Sequence, residues 1–128
     1  MSAAETKLIG VIDAGSNSIK FVIYQIPNFI HICSHEIILK QISIKEGYLE
    51  HDPDEIIKAV RETADVAINL LSNFNLSKNN ISGVGITNQR ETTVLWNKKT
   101  GKPLYNAIGE IYNKDFYICK RHDTDLPQ

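Results

Sequence analysis

The sequence predicts an α/β domain with a mixed sheet, and three observations carry that expectation. Short β-branched apolar runs alternate with turn residues over the first forty positions. One long amphipathic helix begins at Asp52. A further strand of small residues follows that helix.

Taken in order, residues 7–12 read Lys-Leu-Ile-Gly-Val-Ile and suit a buried strand. Residues 13–18, Asp-Ala-Gly-Ser-Asn-Ser, have turn composition, and 19–26 resume as a second strand. Two strands joined by a short Gly-containing loop predict a β-hairpin. Pro27-Asn28 supply another turn, and 29–38 complete a three-strand meander. Asp52 is a good helix N-cap, Pro53 suits the first helical position, and Glu55 sits three residues after the cap. Ile56, Val60, Ala64, Ala67 and Leu71 share one face up to an end near Ser72-Asn73, with Arg61, Glu62 and Asp65 largely on the other. Residues 75–80 are a polar connection and 81–87 the fourth strand, whose Gly83 and Gly85 read as close strand packing. Residues 92–96 and 103–105 flank Asn-Lys-Lys-Thr-Gly-Lys, a hairpin signature. Beyond Ile108 no period holds, and a poorly ordered tail is expected over 109–128.

A chain of 128 residues is one domain's worth and long enough to bury a core without disulfides or metals. Fourteen basic residues against fifteen acidic ones give a net charge of −1, which argues against nucleic acid as a partner. Cys33 and Cys119 are too few for a disulfide scaffold. No apolar leader precedes the first strand and no run approaches the ~20 residues of a membrane span, so the expected compartment is the cytoplasm. Two sequons, at Asn75 and Asn80, read as chance matches.

Three groups of residues carry chemistry. Asp13, Gly15, Ser16, Asn17, Ser18 and Lys20 combine a close-approach glycine, short donors and a cation, which is what a phosphate needs. Asp13 can hold Mg²⁺, directly or through water. The same residues also make an ordinary hairpin turn. Arg90 and Glu91 follow the fourth strand, where open α/β sheets bind ligands. One donates in a fixed fork and the other accepts, which suits a polyhydroxy ligand or a surface ion pair equally. His31, Cys33 and His35 share a strand face and offer three ligands, short of the four of a structural zinc site, with Cys119 and His122 remote in sequence. The plainer alternative is a strand with Ile30 and Ile32 facing the core.

Four segments in order resemble the glycerol kinases of the FGGY carbohydrate-kinase family. Asp13-Ala14-Gly15-Ser16-Asn17-Ser18-Ile19-Lys20 resembles the first phosphate motif, Asp-x-Gly-Thr-x-Ser-x-Arg. Gly47-Tyr48-Leu49-Glu50-His51-Asp52-Pro53 resembles Gly-Trp-Val-Glu-His-Asp-Pro. Gly85-Ile86-Thr87-Asn88-Gln89-Arg90-Glu91-Thr92-Thr93 matches the most distinctive glycerol-kinase segment, and 96–108 continue it. The resemblance divides the chain into a lead-in over 1–7, the start of the first kinase domain over 8–108, and a divergent tail over 109–128.

The resemblance implies part of an actin-like ATPase (ribonuclease H-like) domain, and transfer of the γ-phosphate of ATP·Mg²⁺ to glycerol. By position, Gly15, Ser16, Asn17, Ser18 and Lys20 would serve the nucleotide phosphates, Asp13 the metal, and Arg90 and Glu91 glycerol. Lys20 stands for the usual Arg, a point charge in place of a bidentate fork. Glu110 stands where the family has a Trp that packs on glycerol. The adenosine site and the catalytic Asp are expected beyond the end of this sequence, which implies a catalytically incomplete chain or a non-catalytic regulatory fragment. Sheet edges left open imply self-association.

Overall fold

A computed structural model describes residues 5–43 and 48–109. The main sheet contains β1 (Leu8–Ala14), β2 (Ser18–Gln25), β3 (Ile30–Ile38) and, after helix α1 (Pro53–Leu70), a strand at Ile81–Asn88. A second, two-stranded sheet pairs β4 (Glu50–His51) with β6 (Ala107–Ile108), so the Ile81–Asn88 strand is β5. The main sheet runs β3-β2-β1-β5, antiparallel among the first three and parallel between β1 and β5. The mixed α/β sheet expected from the sequence is therefore present. The described part of the tail reading is Gly109 alone, and 110–128 lie outside the described residues.

Period-two alternation in β2 decides which side of the sheet is buried. Ile19, Phe21 and Ile23 point to one face with the stripe Ala59, Thr63, Ala67 and Leu71 of α1 and its following 3₁₀ turn. Leu8, Phe21, Ile23, Cys33, Ala67 and Leu71 form one buried cluster, and Ile19, Leu39 and Ala59 a second. Thr63 is the polar member of that stripe, and its hydroxyl donates back to the Ala59 carbonyl at 2.8 Å. Asp52 caps the helix by accepting from the Asp54 amide at 2.9 Å, and Pro53 occupies the first turn, as the sequence indicates. At the other end Asn75, at φ 56°, reverses the chain after the Leu71–Phe74 turn.

Three local expectations are corrected. Asp13, Ala14 and Ser18 belong to strands, leaving Gly15, Ser16 and Asn17 as the hairpin connection. In β3 a register shift opposite Ile23 and Tyr24 turns Cys33 to the core while Ile30 is 52% exposed; of Ile30 and Ile32, only Ile32 packs against the core. Gly83 and Gly85 have open space where a Cβ would stand, so close packing does not explain them. The close approach is at Gly10, where an added Cβ would lie 2.6 Å from the tip of the Phe21 ring.

Candidate functional site

Parallel pairing of β1 with β5 brings together two loops far apart in sequence. The register sets Asp13 beside Thr87 and Ala14 beside Asn88, and the Gln89 amide extends the ladder by donating to the Ala14 carbonyl at 2.8 Å. Both strands therefore release their loops at the same end of the sheet. The space between is an open cleft of about 290 Å³ lined by Asp13, Gly15, Ser16, Leu49, Asn88, Gln89, Arg90 and Thr92.

Two of the walls have local causes. A Cβ on Gly15 would sit 3.2 Å from the Ser18 carbonyl, so the tight connection favours glycine there. The Thr92 hydroxyl donates to Gln89 Oε1 at 2.8 Å, and Asn88 Nδ2 to the Gln89 carbonyl at 3.0 Å, which holds the loop that presents Arg90. Glu91 sits at φ 60°, in the left-handed region, and does not line the cleft. Leu49 closes the third side. It is fixed by β4 and by the Gly109 amide, which donates to the Leu49 carbonyl at 2.9 Å.

The remaining phosphate candidates lie beside the cleft rather than in its lining. Asn17 Oδ1 accepts from Gln41 Nε2 at 2.7 Å. The Ser18 hydroxyl donates to Glu36 Oε1 at 2.6 Å, and Lys20 Nζ lies 4.0 Å from Glu36 Oε2. Neither Glu36 nor Leu49 is a site candidate by sequence, and Leu49 enters there only within the segment that resembles Gly-Trp-Val-Glu-His-Asp-Pro. Glu36 is set by cross-strand register, and Leu49 by the β4–β6 pairing, neither of which a local pattern shows.

Behind the Leu49 wall, Glu50 is 4% exposed and accepts from Tyr105 Oη at 3.3 Å and from Asn106 Nδ2 at 3.0 Å. The Glu50 charge, then desolvation and the hydrogen bond, raise the Tyr105 phenol above its ordinary value. His51 is buried with neither ring nitrogen hydrogen-bonded. The metal reading of His31, Cys33 and His35 finds no support. Cys33 is buried, donates to the Ala67 carbonyl at 3.3 Å, and has its thiol pushed up by burial, while His31 sets its ring edge-on to Tyr24. Among the described residues no group of three or more His, Cys, Asp or Glu can hold a metal. Nor is any described helix long and apolar enough to cross a membrane.

This mixed sheet, with its two loops meeting at one cleft, is the N-terminal part of an actin-like ATPase fold, as in the solved FGGY kinases it overlays. It superposes on the Plasmodium falciparum glycerol kinase crystallised with ADP with a TM-score of 0.74 at 29% identity, over 95% of this chain and 24% of that one. It superposes on a Lactobacillus acidophilus gluconate kinase at 0.67 and 25% identity, over 81% of this chain and 20% of that one. Residues 8–124 match the N-terminal domain of the FGGY family of carbohydrate kinases, and the chain belongs to that family. That match runs on past Ile108. Curated relatives include the glycerol kinases of Brucella anthropi, 46% identical over 94% of this chain and 23% of theirs, and of Escherichia coli O8, 38% identical over 94% and 23%. The chain thus spans about a fifth to a quarter of the length of the relatives it matches.

Proposed function

We propose that this chain supplies the phosphate hairpin and the glycerol loop of an ATP-dependent glycerol kinase, and that these 128 residues are catalytically incomplete alone. The observation that carries the reading is the convergence of Asp13, Gly15 and Ser16 with Gln89 and Arg90 on one cleft. Gly15 lets backbone approach phosphate, and Ser16, Asn17, Ser18 and Lys20 add donors and charge around the same turn. Arg90, with its five donors, faces the cleft and suits hydroxyl oxygens, and Glu91 adds an acceptor beside it.

Mg²⁺ fits Asp13 in chemistry. One exposed carboxylate at the cleft is the kind of protein ligand Mg²⁺ uses when waters and substrate phosphates complete its shell. When bound, Mg²⁺ would neutralise charge on the nucleotide phosphates. Phosphoryl transfer relies on positioning and charge stabilisation by many groups at once. The general base is assigned by family resemblance to a position beyond Gln128.

Titration of the chain with ATP·Mg²⁺ and with glycerol, followed by amide NMR, tests this reading. Nucleotide binding is expected no tighter than roughly millimolar, near −4 kcal/mol, with shifts at Gly15 and Ser16 that Ser16→Ala removes. Glycerol is expected to bind too weakly to measure, because two polar contacts netting about 0.5–1.5 kcal/mol each do not offset the cost of association. Nucleotide shifts absent from the hairpin, or micromolar glycerol binding lost in Glu91→Ala, would overturn it.

A further inference from the structure

Cross-strand register places Asp13 opposite Lys20 and Lys20 opposite Glu36, so the three side chains form a row on the sheet face away from α1. Ser18 lies two residues along β2 from Lys20, on the same face. Glu36 engages both: one carboxylate oxygen takes the Ser18 hydroxyl at 2.6 Å, and the other lies 4.0 Å from Lys20 Nζ. A serine hydroxyl has a single proton to donate. Given to a carboxylate at that distance, in a charge-assisted bond, it is not available to a phosphate oxygen. The row carries two carboxylates to one ammonium, so its field opposes an arriving anion.

We propose that Glu36 sets the phosphate affinity of the hairpin by competing for Ser18 and Lys20, so that a polyphosphate must displace its carboxylate to use either. This rests on the reading of the Gly15–Lys20 hairpin as a phosphate site, and identifies the residue that tunes it. The competition is an exchange of one acceptor for another. The Ser18 proton and the Lys20 charge turn from the Glu36 carboxylate to phosphate oxygens, and Glu36 moves into water. Half-exposed at 44%, its side chain has room to do so. Asp13 differs in role, because it lines the cleft.

The test is inorganic tripolyphosphate titrated without metal into the 128-residue chain, its Glu36→Gln and Glu36→Ala variants, and Ser16→Ala, read by amide NMR. Removing one of two carboxylates from a solvent-screened row is expected to tighten binding on the order of five- to tenfold in both Glu36 variants. The sign is diagnostic, since a residue serving only to hold β3 in place would lower affinity on substitution. Binding that appears only in the variants also supports the proposal. Equal or weaker binding in the variants, with wild-type binding lost in Ser16→Ala, overturns the role of Glu36 and leaves the phosphate site standing. No binding in any chain, or binding that Ser16→Ala leaves intact, overturns both.

Discussion

Backbone constraint at single residues is uneven across the structure. Gly101 takes φ 71° at the turn that joins Asn97 to Lys102, where its amide donates to the Asn97 carbonyl at 2.7 Å. A side chain there costs about 1–2 kcal/mol, so Gly101→Ala should lower the denaturation midpoint accordingly. Gly10→Ala is expected to cost about 1–3 kcal/mol for a different reason, overpacking. Its Cβ would meet the buried Phe21 ring at 2.6 Å, and that ring is only 3% exposed. Urea unfolding of the two variants separates the cases further: an aromatic-to-smaller change at Phe21 should relieve Gly10→Ala and leave Gly101→Ala unaffected.

Among the elements, α1 and the β4–β6 ribbon share an anchor in the segment Glu50-His51-Asp52. Asp52 ends the ribbon and starts the helix, and Asp52→Ala is expected to destabilise by about 1 kcal/mol through loss of the cap to Asp54, measured as a fall in thermal midpoint. Glu50 ties Tyr105 and Asn106 to the ribbon that positions Leu49. The Tyr105 phenol is raised in the folded chain, so the tie's contribution is fully present below the ordinary phenol value. It is lost as pH climbs through the raised one. In Glu50→Gln, an ultraviolet titration should show one tyrosine ionising at lower pH than in the parent, and the alkaline loss of stability should flatten. An unchanged titration would show that the Glu50 charge does not reach Tyr105.

At the scale of the whole molecule, β5 is an edge of the described sheet and carries no charged residue over Ile81–Asn88. Val84 and Ile86 are 52% and 73% exposed, and α1 packs over β2 and β3 rather than over them. An uncharged, apolar edge promotes association. The isolated chain is therefore expected to show concentration-dependent light scattering and a modest thermal midpoint. A monomeric, cooperative transition well above ~65 °C would contradict this. For the same chain, a coupled assay should detect no glycerol 3-phosphate. Turnover dependent on ATP and glycerol and abolished by Arg90→Ala would show that the cleft is complete without further domains.

The local sequence determined the meander, the Asp52 cap, the Gly101 turn and, through Ala67 and Leu71, part of the buried stripe of α1, because strand and helix periods, capping and left-handed φ are decided by residues within a few positions of one another. Ala59 and Thr63, buried in the same stripe, are not among the residues its period picks out. It also marked Asp13–Lys20 and Arg90-Glu91 as candidate chemistry, since motif composition is local. Tertiary structure decided which of these meet. Parallel pairing of β1 with β5 drew Asp13, Gly15 and Ser16 onto the same cleft as Arg90 and left Glu91 outside its lining. Antiparallel register assigned Ser18 and Lys20 to Glu36, and the β4–β6 pairing put Leu49 in the wall. Each of those depends on contacts between residues distant in the chain, whose register is fixed by the burial of whole strands and not by the residues that end up touching.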